Sequence, residues 1–219
     1  MNNPLSTLSN LTRLTSLSTS SGALMVGVSF IVSIVLVTFI DDFLLPNFVI
    51  PGDTATLAAD VEALGPLFTV AIACYLVVLI LDTLIGIGFF VVLKHSNIKR
   101  AMLVAALRIS YAGIVAFGLI ALALQLIDVY DYGTIKLFGY ACFAMHLLAL
   151  AYACYYSGYI PKFFGLLLAV ASLTYSVFFI DVQLPSILNI TIMATMAMAE
   201  LSLCVWLLIN RHKLVAASA

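Results

Sequence analysis

Long apolar runs separated by short polar stretches dominate the chain. Six of them, at 20–39, 66–93, 100–127, 135–156, 163–180 and 187–210, carry few or no charges. A helix rising 1.5 Å per residue needs about twenty residues to cross a hydrocarbon core of ~30 Å, so each run predicts a membrane-spanning helix. The breakers fall between them. Pro66 opens the second, Tyr132-Gly133 separates the third from the fourth, Gly158 and Pro161 follow the fourth, and Pro185 precedes the sixth.

The runs leave three lesser segments. Residues 1–19 are rich in Ser, Thr and Asn, with Leu5, Leu8, Leu11, Leu14 and Leu17 at every third place. At 100° per residue that spacing spreads the leucines around the helical wheel, so an interfacial segment is expected rather than an amphipathic helix. The following apolar run is too long for a signal peptide and lacks a small-residue cleavage site. In the loop 40–65, DTATLAADVEALGP predicts a short helix capped by Asp53 and stopped by Gly65, with Leu57, Val61 and Leu64 as an apolar stripe resting on the membrane or the bundle. Residues 211–219 form a tail.

Composition agrees with the pattern: 64% of residues are hydrophobic and 9% charged, and the mean hydropathy of +1.21 is beyond any soluble domain of this size. The expected class is all-α, a polytopic bundle of six transmembrane helices. A net charge of −1 excludes nucleic acid as a partner. Cys74, Cys142, Cys154 and Cys204 all fall within predicted helices, without disulfide or C-x-x-C spacing, and read as small buried side chains. Basic residues set the orientation. With the N-terminus inside, Arg13, Lys94, Lys99, Arg100, Lys162, Arg211 and Lys213 are cytoplasmic and only Lys136 is outside. Both termini are then cytoplasmic, and Asp41, Asp42, Asp53, Asp60, Glu62, Asp128, Asp131 and Asp181 lie outside. Tyr130, Tyr132 and Tyr140 at one boundary, and Tyr155, Tyr156, Tyr159 and Trp206 at the other, form an anchoring belt.

Four strongly ionisable residues remain inside the spans: Asp82, Arg108, His146 and Glu200. Counted from the cytoplasmic ends at 1.5 Å per residue, all four lie roughly 12–18 Å deep, near the midplane. An arginine in hydrocarbon costs from ~3 to over ~10 kcal/mol, so Arg108 demands partners. Small residues flank these positions: Ala101, Ala105 and Ala112 around Arg108, Gly139, Cys142, Ala149 and Ala153 around His146, and Gly86 beside Asp82. Such seams let helices approach closely and mark inward faces. Tyr111 and Tyr75 are placed to add hydroxyls. Two ionised carboxylates against Arg108 require a second cation, a protonated His146, or else one carboxyl keeps its proton. Exchange between these states moves one proton.

The stretches LDTLIGIGFFVVLKHSNIKRAMLVAALR, YDYGTIKLFGYACFAMHLLALAYACYYSGYIPKFFGLLLAVASLTY and AELSLCVWLL, together with VIPGDTATLAAD, resemble a bacterial membrane family catalogued as domain-of-unknown-function family 4386. The resemblance runs from the first span to Trp206. It matches Asp82, Arg108, His146 and Glu200 to polar positions of the family pattern. The chain departs from it at Tyr111, where the family usually has Glu, and at Phe178, where it tends to have an acid. The family carries no established activity, so the resemblance implies fold and a bacterial cytoplasmic membrane location only.

Three functions compete. The first is a small-molecule or proton-linked transporter or sensor built on the midplane layer. The second is an intramembrane enzyme on a lipid or isoprenoid-like substrate, with Asp82 or Glu200 as acid and His146 as base. The third is an accessory subunit that the layer merely holds together. No inverted repeat or broken helix pair supports transport within one chain, although a homodimer would supply a second half. No H-E-x-x-H or G-x-S-x-G supports an enzyme, and the balance is against one. His146 is the lone midplane histidine, which argues against haem, and no local spacing makes a metal site of His146, Asp82 and Glu200. His95 and His212 lie at the inner ends of their helices. The bilayer is the expected partner, with a small molecule or lipid as ligand.

Overall fold

A computed structural model describes residues 17–40, 65–179 and 186–217. The expectations for 1–16, the loop helix of 41–64 and the acids at 41, 42, 53, 60, 62 and 181 lie outside the described residues. The described residues are all helical or connecting, with no strand among them. The helices are α1 (Thr19–Phe39), α2 (Pro66–Leu93), α3 (Ile98–Ala123), α4 (Val129–Tyr155), α5 (Lys162–Thr174), a 3-10 helix (Tyr175–Phe179) and α6 (Ser186–Ala217).

Four of the helices start where the local chemistry dictates. The Ser18 hydroxyl accepts from the Ser21 amide at 3.1 Å, and Asn97 Oδ1 accepts from the Arg100 amide at 3.1 Å. Pro66 occupies the first turn of α2, and Asp128 Oδ1 accepts from the Asp131 amide at 2.8 Å. These contacts satisfy amides that have no intrahelical acceptor. The boundary between α3 and α4 differs from expectation. Helix α4 runs straight through Tyr132-Gly133, and the break is at Gln125, whose φ is 56°. The Gln125 and Leu126 amides donate back to the Leu122 and Ala121 carbonyls at 3.0 and 2.9 Å. This is a Schellman stop with glutamine where glycine is usual, which is why the residue types did not reveal it.

Among the described residues five helical segments are long and apolar enough to cross a membrane: α1, α2, α3, Tyr130–Tyr155 and Ala194–Leu214. Those lengths and compositions are those of a multi-pass membrane protein. The fifth predicted span differs: α5 has 13 residues before the chain tightens into the five-residue 3-10 helix. Helix α6 continues past Asn210 to Ala217.

The helices form a closed ring. Each packs on its neighbours in sequence, and α6 returns to α1. Glycine makes the closest seams: a Cβ on Gly88 of α2 would lie 2.6 Å from Val26 Cγ2 and 3.0 Å from the Gly22 carbonyl of α1. One apolar cluster, centred on Phe89, Leu147, Leu150, Leu168, Leu203 and Leu207, draws on all six helices. A second, around Ile72, Leu79, Val115 and Leu119, is built by α2 and α3 with Ile40 and Tyr132.

Gly88→Ala should lower stability by about 1–3 kcal/mol, read as a drop in Tm in detergent. Val26→Ala should restore part of it, since the Gly22 carbonyl remains in the way. Gln125→Gly should raise Tm, because it relieves a left-handed backbone costing roughly 1–2 kcal/mol in a residue with a Cβ.

Candidate functional site

The two apolar clusters meet at a polar layer. On α2, Asp82 lies between Leu79 of one cluster and Ile85 of the other; on α3, Arg108 lies between Val104 and Ala112. Gly86, one turn from Asp82, brings the helices together there: a Cβ on it would sit 3.2 Å from Arg108 Cβ. The inward small-residue face of α3 is as the sequence suggested, with Ala101, Ala105 and Ala112 all buried.

Arg108 is 3% exposed, and it holds the layer. Its Nε and Nη2 both donate to Asp82 Oδ1, at 3.0 and 2.5 Å. Its Nη1 donates to Glu200 Oε1 of α6 at 2.5 Å and to His146 Nε2 of α4 at 3.4 Å. The guanidinium carbon lies 4.6 Å from the centre of the Phe143 ring, which it faces. One planar cation therefore touches four residues from three other helices, as only a guanidinium can.

The histidine tautomer follows from its partners. Nδ1 is 2.9 Å from the Val104 carbonyl, which can only accept, so Nδ1 carries the hydrogen. Nε2 then turns its lone pair to the guanidinium, which can only donate. His146 is neutral in this arrangement. Of the two balances the sequence left open, this geometry goes with the one in which a carboxyl holds the proton, because a second N–H on His146 would oppose the N–H of Arg108. With both carboxylates ionised the layer has a formal charge of −1, and one proton on either makes it neutral.

Tyr111 packs edge-on to Phe143, ring centres 4.8 Å apart, and bridges both apolar clusters. Tyr75 packs against the second cluster. Phe143 and Tyr175 were not anticipated. Phe143 lies one turn from His146 and was legible by helical spacing, whereas Tyr175, at 5.0 Å from Phe143, arrives from the 3-10 helix and has no local signal. Among the described residues no group of three or more His, Cys, Asp or Glu is arranged to hold a metal ion. The space between Asp82 and Glu200 belongs to the guanidinium.

The stretch around YSGYIP has a structural role. Tyr159 Oη donates to the Val92 carbonyl at 2.6 Å, tying the α4–α5 turn to the end of α2.

The fold and this site define an all-α, multi-pass membrane protein with a buried ion network. The chain belongs to the family described as Domain of unknown function (DUF4386), whose model matches residues 25–127 and 120–210. An uncharacterized protein from Archaeoglobus fulgidus is 32% identical over 98 residues, covering 45% of this chain and 58% of that protein's length. No solved structure matches.

Arg108→Met should cost about 3–5 kcal/mol, since it strands two buried carboxylates. The triple variant Asp82→Leu, Arg108→Met, Glu200→Leu should recover most of that stability, as measured by Tm in detergent.

Proposed function

We propose that the protein is a proton-linked transporter or sensor whose exchanging proton resides on the Asp82–Arg108–Glu200 layer. The observation that carries this reading is the charge count: two carboxylates, one guanidinium and a neutral His146, all buried. Such a layer stands one proton from neutrality in a medium where net charge is costly, so gaining or losing that proton shifts the helices that carry it.

In this reading the six helices all span a bacterial cytoplasmic membrane, with both termini inside. The enzyme alternative is weakened because Arg108 occupies the His146 lone pair that a general base would need. A static lock is the competing reading, favoured by the fact that no buried side-chain nitrogen or oxygen among the described residues lacks a partner.

Glu200→Gln keeps the shape and removes the exchangeable charge. Proteoliposomes with a trapped pH dye should dissipate an imposed pH gradient faster than empty vesicles, and the variant should lose that excess. The sole tryptophan, Trp206, lies on α6 six positions after Glu200. Its fluorescence should titrate in the wild type and not in Glu200→Gln. A flat titration together with vesicle flux no greater than that of empty vesicles would establish the lock instead.

A further inference from the structure

A second site lies on the outer face of the bundle, at the end that carries Lys94, Lys99, Arg100 and Lys162. A groove of about 700 Å³ runs between α3, α4 and α5, within the size range of ligand sites. Its walls include Leu103, Leu107 and Leu166, and its floor is small: Ala149, Gly165 and Ala169. Gly165 brings α5 onto α4 so tightly that a Cβ there would stand 2.8 Å from the Ala151 carbonyl and 2.9 Å from Tyr155 Cβ. Along α4 the groove extends from Tyr156 to Met145. That is about 16 Å at helical rise, the depth of one leaflet of a ~30 Å core.

Three tyrosines and two cations crown the basic end of the groove. The Arg100 guanidinium lies 4.7 Å over the Tyr152 ring and 5.5 Å from the centre of the Tyr156 ring. Lys162 Nζ lies 5.2 Å over Tyr155. Tyr155 and Tyr156 pack edge to face at 5.1 Å and so link the two cations. Stacking uses the face of the guanidinium and leaves its N–H edge for an acceptor. No carboxylate among the described residues lies at this end to take that role. Asp82 and Glu200 are held by Arg108, and Asp128 and Asp131 sit at the start of α4, the opposite end of that helix.

We propose that this groove binds one anionic phospholipid, its phosphodiester headgroup held by Arg100 and Lys162 and an acyl chain lying over Ala149, Gly165 and Ala169. Apolar walls of leaflet depth suit a chain. Two cations with no neighbouring acid among the described residues suit a headgroup of net negative charge, and they oppose the quaternary amine of a zwitterionic one.

The test uses the full-length protein in a neutral detergent, with Tm measured against added lipid and bound lipid counted by native mass spectrometry. Phosphatidylglycerol should raise Tm and remain bound, whereas phosphatidylcholine with the same chains and free glycerol 3-phosphate should do neither. The double variant Arg100→Gln, Lys162→Gln should weaken phosphatidylglycerol binding about thirtyfold, taking each basic contact as worth ~1 kcal/mol. Ala169→Phe should weaken it with both cations intact. The lipid-free Tm of each variant reports that it is folded. Equal responses to the two lipids, an unchanged response in the double variant, or full effect from glycerol 3-phosphate would each overturn the proposal.

Discussion

A single guanidinium buried in an apolar bundle sets the terms for the rest of the structure. Arg108 cannot shed its charge and cannot reach water, so acceptors must come to it. Asp82, His146 and Glu200 do so from α2, α4 and α6. Meeting one planar cation fixes the rotation of each of those helices and their relative depth. Apolar packing alone would leave both free to slip, because lipid tails solvate leucine as well as another helix does. Close approach is the second requirement, and Gly86 supplies it where α2 meets α3.

The same contacts restrict the chemistry available. With the Val104 carbonyl on one ring nitrogen and the guanidinium on the other, His146 acts as a neutral spacer. Phe89 and Phe143 pack against its ring and hold it in that orientation. The ionisable freedom of the layer therefore rests with the two carboxylates. Arg108 stands between them and pairs with both.

Charge is divided along the bundle as well as concentrated at its centre. Arginine and lysine lie over aromatic rings at one end, with no carboxylate beside them among the described residues. The acidic caps of α4 stand at the other. The buried ion layer thus lies between ends of opposite sign.

Much of this was open to inspection in the chain itself. Hydrophobic run length marked the helices, because a ~30 Å core imposes a minimum that few other folds require. Pro66, with its ring preset for a first helical turn, marked the start of α2 to the residue. The cost of burying charge marked Asp82, Arg108, His146 and Glu200 as one group, since depth along a helix is a simple count. Other features had no local cause. Gln125 takes a left-handed conformation that its side chain does not favour, so the α3–α4 boundary was misplaced. The tightening of α5 into a 3-10 turn, and with it the arrival of Tyr175 beside Phe143, depends on neighbours distant in sequence. So does the charge of His146: residue type permits two protonation states, and only the carbonyl on one side and the guanidinium on the other select the neutral one. Sequence pattern acts through length, depth and sign, which are additive along a chain; tautomers, ring contacts and grooves arise where chains cross, and there tertiary packing decides.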